Sequence, residues 1–210
     1  MPHIDFIGPD GTAWPSATQL TNLLPQPWLW SWYKSQVKAH GWRGWLKCLA
    51  TSKRGMKIGS EVHALIEGFI AKQPVEVPGK YDSQSYADAL FDIVNPLVKR
   101  WVAIEPHLQS VSYKLHGTAD AIVDVDEGLT VLDWKTSASK SDTHPIQLAI
   151  YALAWNEMHP NQLITRGVIA RVDKKSKRLG VKLDVYENLE QYYKIVLALR
   201  TIWSYTNEER

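Results

Sequence analysis

The sequence has a single cysteine and no long apolar run, and both shortages exclude whole classes of protein. Cys48 alone cannot form an intrachain disulfide, nor can it by itself hold a zinc ion or an iron-sulfur cluster. No apolar stretch reaches the roughly 18 residues of a membrane-spanning helix, and the start MPHIDFIGPDG lacks the basic and apolar regions of a signal peptide. We therefore expect a soluble protein of a reducing cytoplasm, with no membrane partner.

Acidic residues are absent from one long interval, between Asp10 and Glu61. Seven cations fall inside that interval: Lys34, Lys38, Arg43, Lys47, Lys53, Arg54 and Lys57. The formal net charge of +2 is too small to indicate a nucleic-acid partner, so the distribution of charge is more informative than its sum. A positive N-terminal segment is set against a carboxylate-bearing middle of the chain.

Tryptophans are concentrated in the same acid-free interval. Several lie in the helical stretch WLWSWYKSQVKAH, and the glycine-flanked Trp42 and Trp45 follow it. Packing in the core is the ordinary role of any single ring. Because these rings are interleaved with cations, they also fit a surface that tracks single-stranded nucleic acid, where bases stack on rings and cations hold phosphates. The sequence leaves both interpretations open.

Apolar periodicity and turn residues predict an α/β protein with a small mixed central sheet flanked by helices and a helical N-terminal part. The expected helices are 16–24, 28–40, 57–72, 83–103, 145–158 and 189–205, and Pro96 should kink the fourth of these or split it in two. The expected strands are 104–113, a hairpin over 116–135, 163–172 and 179–186. We expect a single domain over 1–210, in which 1–103 is mainly helical and 104–210 is the sheet-bearing catalytic core.

The predicted hairpin, HGTADAIVDVDEGLTVLDWK, carries the strongest chemical signal. Side chains alternate along a strand, so Asp133 and Lys135 point the same way, about 6.6 Å apart. Asp120 is expected on the partner strand. Two acids and a lysine on one surface destabilise a protein unless something compensates for them, and a divalent metal is the usual compensation. The hairpin therefore suggests the centre of a metal-dependent nuclease.

A simpler interpretation of Asp133 and Lys135 is an ion pair on an exposed strand. Their flanking residues, VL before and WK after, indicate instead a mostly buried strand, where an unliganded pair is costly. Asp124, nearer the turn, is the spare candidate if Asp120 is not the functional acid.

Three further groups each have a structural and a functional interpretation. His63 and Glu67 share a helix face and form either an ordinary surface contact or a metal ligand with a nearby acid. Gln147 and Tyr151 share a face of a later helix, where they cap the sheet edge or act at the site. The basic turn KKSKR is interpreted as a solvated hairpin tip in preference to a dedicated DNA contact.

The order of short segments in the chain resembles a known family. GTAD, then DWK after a hairpin, then QLAIY on the next helix, with KIGSEVHALIE upstream, resembles the PD-(D/E)XK nuclease superfamily and its RecB-type exonuclease branch. The opening PSATQLTNLLPQPWLWSWY is similar to the start of phage nucleases and of the mitochondrial genome maintenance exonuclease. Each segment alone is weak evidence for the family, but four such segments in the family's order make a specific signal.

The resemblance implies a restriction-endonuclease-like core and a role for each matching residue. The implied metal ligands are His63, Asp120, Asp133 and the backbone carbonyl of Trp134. The other implied catalytic residues are Lys135, which positions the attacking water, Glu67, which supports a second metal or a water, and Gln147 with Tyr151, beside the scissile phosphate. The expected DNA contacts are Ser16, Lys53, Arg54 and Lys57. The family's usual proline before the first acid is replaced here by Ala119, as is common in this branch.

The resemblance also implies the chemistry. Magnesium or manganese is the expected cofactor, with the imidazole ligand favouring manganese. An iron-sulfur cluster, which some members of the branch hold with four cysteines, is not expected. We expect an exonuclease acting on single-stranded DNA ends in a bacterial or phage-infected cell, in DNA repair or recombination. The alternatives are a structure-specific or double-strand exonuclease, and a nucleic-acid-binding module that has lost catalysis.

Overall fold

A mixed five-stranded β-sheet organises the chain in the computed structural model, which describes residues 6–79, 81–137, 139–173 and 179–207. Its strands are β1 (Arg100–Ile104), β4 (Ala121–Val125), β5 (Gly128–Lys135), β6 (Arg166–Asp173) and β7 (Gly180–Tyr186), in the order β1-β4-β5-β6-β7. β5 and β6 are parallel, and the other neighbours are antiparallel. A separate antiparallel ribbon is formed by β2 (His107–Ser110) and β3 (Leu115–Thr118). The predicted α/β fold with a mixed sheet is confirmed.

Helices cover both faces of this sheet. They are α1 (Ala17–Thr21), α2 (Pro27–His40), α3 (Trp42–Ala71), α4 (Ser83–Val94), α5 (Thr143–Met158) and α6 (Tyr193–Asn207). The crossover helix α5 is buried nearly all round, because the sheet, the ribbon and the helices α1 and α6 enclose it. The C-terminal half of α3 and the whole of α4 cover the opposite face. No helix in the described part of the chain combines the length and apolar character needed to cross a membrane.

Alternation along β5 divides its side chains between two hydrophobic cores. Val131 belongs to the core around α5, whereas Leu132 and Trp134 belong to the core beneath α3 and α4. Because successive side chains point to opposite faces, Asp133 and Lys135 lie on the α5 side of the sheet. The two charged residues thus come at the end of a strand that is buried from Thr130 to Trp134.

Helix α3 begins at Trp42, so the prediction that it begins near residue 57 is wrong. The helix continues through Gly44. This position needs glycine because α2 packs closely against α3 there, and a Cβ would come 2.1 Å from the carbonyl oxygen of Gln36. The helix is 30 residues long and ends at Ala71, followed by the C-cap residue Lys72, whose backbone is left-handed (φ 54°). The sequence pattern revealed only its amphipathic C-terminal half.

The helical stretch predicted over 83–103 does break near Pro96, but no helix follows the break, and the single strand predicted over 104–113 is also wrong. Helix α4 ends at Val94, and Pro96 lies in a short 3-10 turn, Asn95–Leu97, since proline cannot donate the next helical hydrogen bond. The chain then enters β1 at Arg100. Pro106 separates β1 from β2. The sequence pattern therefore merged two strands, of which β1 belongs to the five-stranded sheet and β2 to the ribbon.

Several element boundaries differ from the predicted ones. Asp120 directly precedes β4 instead of lying on it, and His116 to Thr118 belong to the ribbon strand β3. Helix α1 stops at Thr21, β6 starts at Arg166, and α6 starts at Tyr193 after a 3-10 turn. The basic turn KKSKR lies outside the described residues.

Candidate metal and catalytic centre

The two hairpin acids meet where β4 begins and β5 ends. Ala121 pairs with Leu132, so the next position along brings Asp120 beside Asp133. The backbone N–H of Trp134 donates a 2.7 Å hydrogen bond to Oδ2 of Asp120, which fixes that carboxylate against the end of β5. Asp133 is 1% exposed. A buried carboxylate of this kind needs a partner of opposite charge.

Lys135 is the partner of Asp133 in the described structure. Its Nζ lies 2.5 Å from Oδ2 of Asp133, so the two groups form a largely buried ion pair. A carboxylate has more than one acceptor site on each oxygen, so Asp133 can accept a further ligand beside Lys135.

Helix α3 brings His63 to the same place. Ile58, Val62, Leu65 and Ile66 pack into the core beneath this helix, which fixes its position on the sheet. Nδ1 of His63 lies 3.2 Å from Oδ1 of Asp120, and Nε2 lies 3.2 Å from the carbonyl oxygen of Trp134, 71 positions away in the sequence. Both ring nitrogens face acceptors, so both contacts are hydrogen bonds only when the ring carries two protons.

The pKa values of this group follow from burial and close charges. For His63, burial acts to lower the pKa, but the hydrogen bond and charge of Asp120 outweigh it and the pKa is raised. Burial raises the pKa of Asp133 to about 6, against the opposing effect of Lys135. For Lys135, burial acts to lower the pKa, but the charges of Asp133 and Asp120 raise it above its ordinary value. Lys135 is accordingly an ammonium ion at neutral pH.

An open cavity of about 490 Å³ adjoins this cluster, lined by Gly59, Ser60, His63, Ala64, Glu67 and Glu105. Glu67 lies one turn along α3 from His63, and the two residues line the same cavity. Burial, followed by the charges of Glu67 and Asp120, raises the pKa of Glu105. Several carboxylates therefore repel one another at this opening, and a bound cation would relieve the repulsion.

Sequence reasoning missed Glu105. Its backbone is left-handed (φ 45°), and its N–H donates a 3.0 Å hydrogen bond to the carbonyl oxygen of Asp120. A non-glycine residue in this conformation is strained and needs support from its surroundings. Only its place before Pro106, at the end of a strand, could have drawn attention to it.

Gln147 and Tyr151 of α5 form a pair behind the hairpin. Nε2 of Gln147 donates a 2.8 Å hydrogen bond to the hydroxyl of Tyr151. The Tyr151 ring is buried, and burial holds the pKa of its phenol well above the ordinary range. Gly117 makes room for the ring, since a Cβ at this position would come 2.8 Å from it. The glycine of the GTAD segment thus lets Tyr151 pack against β3.

The expected DNA contacts have diverse surroundings. Ser16 caps α1: its Oγ accepts a 3.1 Å hydrogen bond from the N–H of Gln19. Lys53, Arg54 and Lys57 are exposed on α3. The last two lie over the ring of Tyr81, at 5.3 and 5.9 Å from its centroid.

Asp124, the spare candidate, lies nearer the turn of the hairpin. Its Oδ2 is 3.4 Å from a guanidinium nitrogen of Arg100, with which it forms an ion pair. It is not among the residues that line the cavity beside His63.

A family model described as the PD-(D/E)XK nuclease superfamily matches residues 88–204, more than half of the chain. The chain belongs to this superfamily. The match includes the hairpin acids, Lys135 and α5, but not α3. No curated protein matches the sequence. Among solved structures, the crystal structure of SSO0001 aligns at 18% identity over 90% of this chain and 74% of that chain, with a TM-score of 0.41. This likeness is too weak to carry an argument.

PD-(D/E)XK nucleases usually use divalent metals such as Mg²⁺, and the donor atoms of this chain fit such an ion. Among the described residues, no three His, Cys, Asp or Glu side chains already converge as a metal cluster. Nevertheless, Nε2 of His63 and the carbonyl oxygen of Trp134 are 3.2 Å apart. Adjacent ligands at ~2.2 Å from one ion are separated by about 3.1 Å in octahedral geometry. The buried Oδ2 of Asp133 supplies a further acceptor of the hard type that Mg²⁺ and Mn²⁺ prefer.

Proposed function

We propose that this PD-(D/E)XK protein is a Mg²⁺- or Mn²⁺-dependent deoxyribonuclease of the RecB-type branch, an exonuclease acting on single-stranded DNA ends. We also propose that the 210 residues act as one nuclease domain. The observation that carries the proposal is the contact of His63 with Asp120 and with the carbonyl of Trp134. This contact joins α3, which lies outside the residues that the family model matches, to Asp120 and Trp134, which lie within them.

The proposed metal ligands are Asp120, Asp133, Nε2 of His63 and the carbonyl of Trp134. A divalent ion bound there would supply Lewis-acid activation of the phosphoryl group and of an attacking water. Binding through Nε2 requires that nitrogen to give up its proton, so metal binding and the present hydrogen bond to Trp134 exclude each other.

Lys135 is proposed to stabilise charge, and it is not proposed as the general base. A lysine that removes a proton must itself be neutral, whereas the neighbouring carboxylates raise the pKa of Lys135. Its ammonium, fixed beside Asp133, is suited to stabilise the negative charge that develops on the phosphoryl oxygens and to orient the attacking water.

Gln147 is proposed to contact the DNA strand near the scissile phosphate, with Tyr151 as a positioning residue. The buried hydroxyl of Tyr151 accepts the hydrogen bond of the Gln147 amide and thereby fixes its orientation. Glu67, at the cavity, is proposed to hold a water or a second ion. The exonuclease assignment and the DNA substrate follow the resemblance to the RecB-type branch.

Cleavage of end-labelled DNA tests the proposal. Linear single-stranded, duplex and covalently closed circular single-stranded DNA are incubated with Mn²⁺, Mg²⁺ or EDTA. We expect metal-dependent shortening of the linear single strand, no cleavage in EDTA, and no cleavage by Asp133→Asn. Asp124→Asn is the matched control, because Asp124 lies on the same hairpin and pairs with Arg100; this variant should keep full activity.

The other outcomes separate the alternatives. Cleavage of closed circles would overturn the exonuclease assignment and leave the nuclease assignment intact. Preferential degradation of the duplex would favour the double-strand enzyme. Binding without metal-dependent cleavage of any substrate would identify a nucleic-acid-binding module that has lost catalysis.

A further inference from the structure

Large aromatic and aliphatic side chains are exposed on the hairpin formed by α2 and α3. Trp30, Trp42 and Trp45 are 63%, 70% and 45% exposed, and Leu46 and Leu49 beside them are exposed as well. Tryptophan is normally largely buried, so three exposed rings on one hairpin require an explanation. A contiguous exposed apolar patch usually marks an interaction surface.

Trp30, Tyr33 and Trp45 form a continuous run of rings across the two helices. Tyr33 of α2 has its ring centroid 5.2 Å from that of Trp45 on α3 and 6.3 Å from that of Trp30. Helix α2 packs on α3 and makes no comparable contact with any other described element. The close approach at Gly44 fixes the two helices against each other. The rings are therefore held in place without being covered.

Helical periodicity aligns this surface with the metal and catalytic centre. Eighteen residues make five full turns, so Trp45 lies on the same line along α3 as His63. By the same spacing, Trp42 aligns with Ser60 and Leu49 with Glu67. Ser60, His63 and Glu67 line the open cavity beside the hairpin acids. One face of a single helix therefore leads from the exposed rings to the site, over a distance of about 27 Å.

The charge of the hairpin indicates the class of partner. No acidic residue occurs between Asp10 and Glu61, and the exposed Lys34 and Lys38 of α2 follow Trp30 at helical spacing. On α3, the exposed Lys53 lies about 80° from the line that joins Trp45 to His63. A nonpolar protein partner would not need this excess of cations. A polyanion with accessible π-faces requires both the cations and the rings, and single-stranded nucleic acid is such a partner.

We propose that Trp30, Trp42 and Trp45 stack on unpaired bases, and that the α2–α3 hairpin conducts a single DNA strand along α3 into the cleft at His63. The proposal rests on the proposed nuclease function, because it supplies the substrate path to that site. It concerns binding upstream of the chemistry, so it can be tested without cleavage. At about 3.4 Å per stacked nucleotide, 27 Å corresponds to roughly eight nucleotides.

The test measures binding in EDTA, where metal-dependent cleavage cannot occur. The full chain is titrated into a fluorescein-labelled thymidine 30-mer, and the dissociation constant is read by anisotropy. Alanine substitution of a base-stacking ring typically weakens binding about five-fold or more. We therefore expect about 25-fold weaker binding for the double variant Trp42→Ala/Trp45→Ala. The double phenylalanine variant should recover most of the affinity, because it keeps the π-faces.

Two controls separate stacking from charge and from general apolar contact. Leu46→Ala removes an exposed side chain of the same hairpin that has no π-face, and it should bind within about two-fold of wild type. An abasic strand of equal length keeps the phosphates and removes the bases. On that strand, wild type and the double alanine variant should bind with equal, weak affinity. Far-UV circular dichroism and thermal unfolding verify that all three variants fold.

Three results would overturn the proposal. The first is an unchanged dissociation constant in the double alanine variant. The second is an equal weakening of binding on abasic DNA. The third is a self-association that sedimentation velocity detects in wild type and not in the variant, with DNA affinity unchanged, which would identify the rings as a contact between copies of this chain. Because no cleavage is measured, failure here leaves the nuclease proposal intact, and failure of cleavage leaves the binding result interpretable.

Discussion

The two halves of helix α3 use their apolar side chains in opposite ways. In the C-terminal half, Leu65 is 2% exposed and packs against the sheet; in the N-terminal half, Trp45 is 45% exposed. Both halves belong to one uninterrupted helix. The difference shows that apolar character alone does not reveal whether a helix face supports the core or meets a partner. The buried half positions His63, and the exposed half carries the proposed binding surface.

Substitutions on the same helix line should separate chemistry from binding most strongly. His63→Ala removes a proposed metal ligand, and we expect single-turnover cleavage to fall on the order of 10³-fold while single-strand affinity in EDTA is unchanged. Trp45→Ala, five turns away, should weaken binding and leave the rate at saturating DNA within about two-fold of wild type. Equal decreases in affinity for both variants would contradict this division of the helix.

Stability should respond only to the buried half. Leu65→Ala removes a fully packed side chain and should lower the free energy of unfolding by about 2–5 kcal/mol. Leu46→Ala changes an exposed position and should alter it by no more than about 0.5 kcal/mol. Equilibrium urea denaturation of the two variants measures both values. A large destabilisation by Leu46→Ala would mean that the hairpin surface is covered in solution.

The smallest expected effect concerns the cations between the two halves. Changing Lys53 and Lys57 to glutamine should reduce the slope of log K against log salt concentration by about 0.7 for each phosphate that the variant no longer neutralises. The rate of cleavage at saturating DNA should not change. Anisotropy titrations over a series of salt concentrations give the slope, and an unaltered slope would exclude these lysines from the strand path.

The sequence was sufficient where local periodicity and chemistry agree. The alternation that puts Asp133 and Lys135 on one face is a property of any strand, and the turn that precedes it is equally local. The mixed sheet could be predicted because a strand, a long crossover helix and another strand follow in order. The His63 helix could be recognised because its apolar stripe is complete from Ile58 onward.

Tertiary contacts determined what the sequence could not reveal. Helix α3 continues through Gly44 because α2 approaches it closely there, and nothing in the local pattern indicates that approach. Glu105 joins the cavity through a left-handed turn whose strain the surrounding structure supports. Pro96 and Pro106 both indicate interruptions, but only the fold shows that a strand lies between them.

The most direct measurement of the central claim is anomalous diffraction from a crystal soaked in Mn²⁺. We expect one strong peak within about 2.3 Å of Nε2 of His63, with the carbonyl oxygen of Trp134 and carboxylate oxygens of Asp120 and Asp133 as neighbouring ligands. The peak should be absent from a soaked crystal of His63→Ala. A manganese ion bound elsewhere, or bound equally in that variant, would contradict the claim that α3 completes the metal centre.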